Sequence, residues 1–477
     1  MIGKLLTCRT LWRGARRGAC QDAACGFEEI VPRACQDRQC MLCGAVEEAR
    51  WIGARATWLL PVPHLHAVLT LPGRLRDLAW HNKAAVYRLL LDAAVGAIEA
   101  RLGLALGVPV GAGEAGGPGD RPLPGAARPA LTAVLHTWNR ELAFHPHVHA
   151  LVAAGALSAD GSRWITAPGG ACALPADERL RELFRDRLLE GLDALRRAGK
   201  LRFPRGLARL AQDAAWAALL AALRRDPARP GRRAYWHVYA KTPLGGRDVL
   251  VYLARYAVRI GLSWSRLLEH DRARREVVIA TRRGQALRLT GRELARRIAL
   301  HALPRGFVRV RHRGLYLGRQ RAANAQAHAR IVAQGLAEPM TIDPADPLSV
   351  FVLARAAPGA DDGRAGGSTG DGSTGAGARP ATKKELRAAS RAAEEATRAA
   401  GETSGTGSSL WDLYAQAKWG VDFSRCTRCG KALVFSFVPP RRDSLPAAAA
   451  HTLARARTGL APRAPPVARA HVEAATT

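Results

Sequence analysis

Between about residues 51 and 340 the chain alternates two kinds of apolar pattern. The runs LHAVLTL (65–71), LTAVLHTW (131–138), HVHALVAA (147–154), YWHVYAK (235–241) and EVVIAT (276–281) are short, β-branched or aromatic, and read as strands. Between them, 79–104, 176–198 and 207–225 place apolar residues at helical spacing, with AAWAALLAALRR the clearest case. The stretch GGPGDRPLPG (116–125) reads as a loop. Mixed strands and helices in one stretch of this length predict an α+β catalytic-sized domain over 51–345. A Cys- and Arg-rich module occupies 1–50. The polar region 346–409, containing GGSTGDGSTGAGARP and one short Ala/Glu/Arg helix, reads as a flexible linker. A small module at 410–440 and a disordered Ala/Arg/Pro tail at 441–477 follow.

One strand breaks the apolar rule. ELAFHPHVHALVAAGAL (141–157) carries His145, His147 and His149 at its entry. Alternation puts His147 and His149 on one face, about 7 Å apart along the backbone, where two imidazoles can reach one divalent ion. His145 precedes Pro146 and is the weaker candidate. The alternative is a hydrogen-bonded pair at a strand edge. A second departure is GGRDVLVYLARYAVRIGLSWSRL (245–267), where Asp248 can cap a helix bearing Tyr252 and Tyr256 one turn apart. Arg255 and Arg259 form a second such pair on an adjoining face. A phenol near cations or a metal can act as a nucleophile; two core-packed tyrosines are the plainer reading.

Charge changes the picture. The 477 residues hold 72 Lys+Arg against 40 Asp+Glu, a formal net charge of +32, which suits a polyanionic partner such as nucleic acid. No apolar run of about 18 residues appears, so a membrane span is not expected. The N-terminus lacks the apolar core and cleavage site of a secretory leader, which points to the cytoplasm.

Six of the nine cysteines fall within residues 8–43, and in a cytosolic chain such crowding implies metal before disulfides. CQDAAC (20–25) and CQDRQCMLC (35–43) look like the knuckles of a zinc ribbon. Cys40 and Cys43 are the surest ligands, with Cys20 and Cys25 completing the site, Cys35 an alternate and Cys8 possible. Cys426 and Cys429 form another C-x2-C that either completes a site with distant residues or binds nothing, and Cys172 reads as a small buried hydrophobe.

The His-x-His strand followed by Tyr-x-x-x-Tyr resembles the HUH endonucleases, which cut single-stranded DNA with a tyrosine and a divalent metal. More narrowly, the chain resembles the two-tyrosine rolling-circle transposases of the IS91 family. The stretches that carry this are CRT (8–10), RACQDRQCMLC (33–43), LLPVPHLHAVLTLPGRL (59–75), LHTWNRELAFHPHVHALVAAGALSADGSRW (135–164), WHVYAKTPLGG (236–246), YLARYAVRI (252–260), HALPRGFVRVRHRGLYLGRQR (301–321) and FSRCTRCGKAL (423–433).

The resemblance implies an HUH-like central antiparallel sheet flanked by helices, with the zinc module in front. It implies His147 and His149 as ligands of Mg²⁺ or Mn²⁺, with His66 on the neighbouring strand as candidate third ligand. It implies Tyr252 and Tyr256 as nucleophiles that join to a 5′ phosphate of single-stranded DNA. Arg255, Arg259, Lys241 and Arg140 are candidate DNA contacts, the last two equally readable as a solvated basic face. Localisation with the nucleoid in the cytoplasm follows. Ala150, Val258 and Trp264 depart from a cysteine, a histidine and an asparagine common in the family, and Gln39 from a histidine. A replication initiator or relaxase with the same chemistry, or a non-catalytic zinc-ribbon DNA-binding protein, are the alternative readings.

Overall fold

The computed structural model describes residues 2–37, 40, 43, 48, 51–52, 55, 58–111, 124–168, 178–225, 236–244, 254, 261–262, 266–271, 273–281, 285–337 and 425–440. Two units are distinct. One joins residues 1–44 to 425–477, and the other spans 45–424. None of the described helices is long and apolar enough to cross a membrane.

The first unit is a three-stranded antiparallel sheet of β1 (Ala15–Cys20), β2 (Glu28–Pro32) and β12 (Leu433–Val438), in the order β12-β1-β2. Residues 425–440, expected from sequence to belong to a separate C-terminal module, instead supply an edge of the N-terminal sheet. Ala15 pairs with Val438 and Cys20 with Leu433. Apolar burial here is slight. The buried cluster of this unit is Cys35, Cys40 and Cys43 with Leu5 and Cys8 against it. Aromatic side chains of β12 instead take up arginines, with the Arg16 guanidinium 3.4 Å from the centre of the Phe435 ring.

The second unit is built on a six-stranded sheet of order β11-β4-β5-β3-β7, with β6 beside β5. Its strands are β3 (His64–Thr70), β4 (Arg128–Trp138), β5 (Phe144–Leu157), β6 (Trp164–Ile165), β7 (Val238–Leu244) and β11 (Val310–Gly314). Every pairing in it is antiparallel. A small antiparallel sheet of β8 (Leu267–Asp271), β9 (Glu276–Ala280) and β10 (Ala286–Thr290) follows β7 in the chain. The α+β class with antiparallel sheets is therefore the observed architecture.

Strand alternation sorts the central sheet into two faces. Leu65, Ala67 and Leu69 of β3, Leu131, Ala133 and Leu135 of β4, and Val148, Ala150 and Val152 of β5 share one buried cluster with the helices. Those helices are α1 (Lys83–Leu106), α2 (Glu178–Arg197) and α3 (Asp213–Arg224). In α1, Val86, Leu90, Leu91, Ala94, Ala97, Ile98 and Leu102 recur at three- and four-residue steps, which carries a buried stripe along five turns. Gly107, left-handed at φ 67°, ends the helix and donates its N–H to Gly103. In α2 the stripe is Leu180, Phe184, Leu188 and Leu192, all fully buried. Each such side chain contributes about 1.5–3 kcal/mol on leaving water. Covering one face with helices leaves the other face of the same three strands to carry chemistry.

That second face has its own apolar floor at one end. Val134, Leu151, Ala153 and Leu157 pack with Ile52, Leu59, Leu60, Val62, Ala254, Leu315 and Tyr316. Helices α4 (Gly291–Leu300) and α5 (Arg321–Ala333) bracket β11 in the chain. Neither was expected from sequence, and α4 is capped by Thr290, whose hydroxyl accepts the Glu293 N–H.

Candidate functional site

The histidines line the face of the sheet opposite the helices. A tight turn between β4 and β5 puts them there. The Asn139 side-chain carbonyl accepts the N–H groups of Glu141 and Ala143 at 3.0 and 2.8 Å, and Leu142 sits left-handed at φ 59°. Trp138 then pairs with Phe144. An unbroken ladder would next bring His136 opposite Pro146. Proline has no N–H to give a ladder, and the pairing shifts by one residue at this point, so His136 faces His147 instead.

The shift assembles a constellation that could hold a metal ion. One nitrogen from each of His136, His147 and His149 lies within 4.8 Å of the others. The Nε2 atoms of His147 and His149 are 3.1 Å apart. His147 Nδ1–H donates to the His145 carbonyl at 2.7 Å, which leaves the Nε2 lone pair pointing inward. His149 Nδ1 meets His66 Nε2 at 2.9 Å, one of the two donating to the other. When His149 is the donor, its own Nε2 lone pair also faces inward, the tautomer a metal ligand needs. Burial pushes His147 down to about 4 and His149 well below its ordinary value. Both rings are therefore neutral at pH 7 and have lone pairs to give. Three imidazole nitrogens converging in a buried site fit a divalent ion.

The structure thus brings His147 and His149 together as the sequence suggested, and adds His136, which sequence reasoning passed over. His66 is not among the three convergent groups. It stands behind His149 with its ring stacked at 5.2 Å, where it can fix that ring's orientation. His145 offers its backbone carbonyl to the centre rather than its ring. Ala150 lies on the helix-packed face, so its departure from the family pattern affects packing and not this centre.

Next to His136 the indole of Trp138 stacks at 4.6 Å and meets His301 edge-to-face at 5.6 Å. His301 is held between the Thr137 hydroxyl and the Leu142 carbonyl, to which its Nε2–H donates at 3.0 Å. Gly261 lies against the same indole so closely that any Cβ there would overlap it. Arg266 holds this corner together through the carbonyls of Gly261, Arg140 and Ala280. Arg140 itself is exposed. Tyr252, Tyr256, Arg255 and Arg259 lie outside the described residues, as do Val258, Trp264 and Cys172, and so does the side chain of Lys241. Their chain neighbours Ala254 and Gly261 are described. Ala254 is helical and fully buried in the cluster on the histidine face.

The cysteines group differently from the single site expected. Cys40 and Cys43 converge with Cys35 and Cys8, not with Cys20 and Cys25. Their Sγ separations are 3.5 Å for Cys8–Cys43 and Cys8–Cys40 and 3.7 Å for Cys35–Cys43. Those values are far above a disulfide's 2.05 Å or so. They lie close to the roughly 3.8 Å edge of a tetrahedron with zinc–sulfur bonds of about 2.3 Å. Cys20 and Cys25 turn instead toward Cys426 and Cys429. Sequence spacing could not separate these sets, because the partners of one pair come from the far end of the chain.

Comparison with known proteins places both regions in matched families. Residues 1–71 match the family model described as "Transposase zinc-binding domain", and residues 131–324 match that described as "Putative transposase". The second match spans β4, β5 and the segment 252–260. The chain is 34% identical over 325 residues to "Putative transposase y4qJ" of Sinorhizobium fredii, covering 66% of this chain and 73% of that one. It is 28% identical over 273 residues to "Transposase for insertion sequence element IS801" of Pseudomonas savastanoi pv. phaseolicola, covering 56% of this chain and 57% of the relative. No solved structure matches. The N-terminal module is accordingly a zinc-binding domain, and with its cysteine sets and the second matched region the chain belongs to the IS91 family of transposases.

Proposed function

We propose that this transposase nicks and rejoins single-stranded DNA with a tyrosine nucleophile at an HUH-type centre, as in rolling-circle transposition. The observation that carries the reading is the convergence of the buried His136, His147 and His149 on the face of an antiparallel sheet that the helices leave uncovered. A magnesium or manganese ion held by these rings would polarise the scissile phosphate. Everything else falls to the chain. Tyr252 or Tyr256 supplies the phenolic oxygen, which forms a bond to phosphorus while the bond to the 3′ oxygen breaks. The phenol loses its proton and the departing 3′ oxygen gains one. The DNA is left joined through a 5′ phosphotyrosine with a free 3′ hydroxyl. Attack by another 3′ hydroxyl reverses the step and frees the phenol, so no external energy source is needed. Having two tyrosines permits a second transfer before the first is resolved.

Chain connectivity supports this assignment. Ala254 lies between the two tyrosines in sequence and is buried on the histidine face. Gly261, five residues after Tyr256, abuts Trp138, which stacks on His136. The segment is anchored to the histidine side of the sheet at both points. Arg140, Lys241, Arg255 and Arg259 would hold backbone phosphates, consistent with a chain of net charge +32. Such a role places the protein with DNA in the cytoplasm.

The test is incubation of the full-length protein with labelled single-stranded DNA carrying element ends, with Mn²⁺ or with chelator, followed by denaturing electrophoresis. A labelled band that migrates with the protein and appears only with metal supports the reading. Cleavage with no covalent species, or no cleavage with any divalent ion, overturns it.

A further inference from the structure

Cys20, Cys25, Cys426 and Cys429 form a second cysteine set, apart from that of Cys8, Cys35, Cys40 and Cys43. Cys20 and Cys25 lie on either side of the turn after β1, and Cys426 and Cys429 lie on the turn before β12. About four hundred residues of chain separate the two pairs, yet their four Sγ atoms lie within 4.8 Å of one another. Cys20 Sγ is 3.4 Å from Cys429 Sγ, and Cys25 Sγ is 3.8 Å from Cys426 Sγ. Disulfides require about 2.05 Å. Tetrahedral zinc thiolate requires about 3.8 Å between sulfurs, given bonds of about 2.3 Å. The spacing suits an ion.

Both turns are shaped to serve thiolates. The Asp22 N–H points at Cys20 Sγ and the Arg428 N–H at Cys426 Sγ, each at 3.4 Å. Backbone donors aimed at sulfur stabilise negative charge on it. Gly430, left-handed at φ 76°, donates its N–H to the Cys426 carbonyl at 2.8 Å and turns the chain from the second pair into β12. Two further contacts lock one turn to the other. Lys431 Nζ pairs with Asp22 at 2.8 Å, and the Arg428 guanidinium donates to the Cys25 carbonyl at 2.9 Å. Neither contact would exist unless the two turns were built to face each other.

We propose that Cys20, Cys25, Cys426 and Cys429 bind a second zinc ion, distinct from the one held by Cys8, Cys35, Cys40 and Cys43, and that this ion ties the C-terminal segment into the N-terminal module. The zinc-binding domain is then completed only when residues 426–438 have been made. The apolar content of this unit explains the need. Val434 and Phe437 of β12 and Ile30 and Val31 of β2 remain exposed, so burial alone gives the added strand little hold. A closed four-thiolate site supplies it.

The experiment is cobalt substitution of the full-length protein, since sulfur-to-cobalt charge-transfer absorption reports thiolate sites and is silent about imidazole sites. Wild type should take up two equivalents with four-thiolate spectra, and directly measured zinc should match. The variant Cys429→Ser should lose half of the charge-transfer intensity, as should Cys40→Ser, and Cys429→His should restore two equivalents with a blue-shifted band from one site. A wild-type protein that saturates at one four-thiolate equivalent overturns the proposal, whatever the variants do. So does Cys429→Ser retaining full intensity.

Discussion

His136 on β4 stands directly across the ladder from His147 on β5, with ring centroids 5.3 Å apart. The pair exists because the ladder slips by one residue at Pro146. One-residue slips invert which side chains share a face, so without this slip the third imidazole would lack its partner across the strand. The candidate metal centre is therefore a property of strand register as much as of the His-x-His motif.

Metal affinity should consequently depend on His136 as strongly as on His147. We expect His136→Ala to abolish saturable Mn²⁺ binding in calorimetric titration. His66→Ala, which removes only the support behind His149, should weaken binding by about 10–100-fold. DNA binding should survive in both, because basic side chains supply most of that affinity. A His136→Ala protein that titrates like wild type would return this residue to a structural role.

The tyrosines give a sharper test of chemistry. Tyr252→Phe and Tyr256→Phe should each impair strand transfer, and the double variant should form no covalent DNA adduct while still binding Mn²⁺. Phenylalanine keeps the ring and removes only the oxygen that bonds to phosphorus. An undiminished adduct in the double variant, seen after denaturing electrophoresis, would assign the nucleophile elsewhere.

Much of this site was legible in the sequence, and the remainder was hidden for identifiable reasons. Strands β3, β4, β5 and β9 announced themselves because strands flanked on both sides are mostly apolar, and the edge strand β7 through its aromatic run YWHVYAK. His147 and His149 stood out because they interrupt such a run. His136 did not, since its relation to them passes through a hairpin whose register depends on the bulge at Pro146. The proline was itself a hint, as an imino residue inside a strand favours a bulge. The cysteine partners were misallocated because adjacency in sequence favoured Cys40 and Cys43 as companions of Cys20 and Cys25. Pairing of β12 with β1 brings a distant C-x2-C closer than either. Short strands such as β8, β10 and β11 are five residues each and interrupted by charged or histidine side chains (LLEHD, ALRLT, VRHRG), which masks their pattern.

Gly261 should tolerate no side chain. A Cβ there would run into the Trp138 indole, which also meets the rings of His136 and His301 and the Arg309 guanidinium. A rigid ring held among these neighbours has little room to swing aside, so Gly261→Ala should cost about 1–3 kcal/mol. It should also weaken Mn²⁺ binding by displacing His136. Thermal unfolding and metal titration of the same variant check both. A variant with unchanged melting temperature and unchanged affinity would show that the glycine is not pressed on the indole in solution.

Acid should destabilise the second unit through two histidines that lie outside the candidate metal centre. Burial, reinforced by Arg55, lowers His312 to about 3, and burial, with Lys83 nearby, lowers His301 to about 4. Both folded-state values lie below the roughly 6.5 of an unfolded chain. The unfolded state therefore binds more protons as pH falls through 6.5, and stability falls with it until the folded values are reached. The contribution is present in full above pH 6.5 and drains away between there and about pH 3 to 4. His312 receives or gives one hydrogen bond with the Thr132 hydroxyl at 2.8 Å. Glutamine can reproduce that bond and cannot take up the proton. Urea unfolding of wild type and His312→Gln at pH 7.5, 6.0 and 5.0 should show similar stability at the highest pH. The wild type should then lose more than the variant as the pH drops, by on the order of 1 kcal/mol at pH 5.0. Parallel losses in the two proteins would mean that His312 charges as readily folded as unfolded.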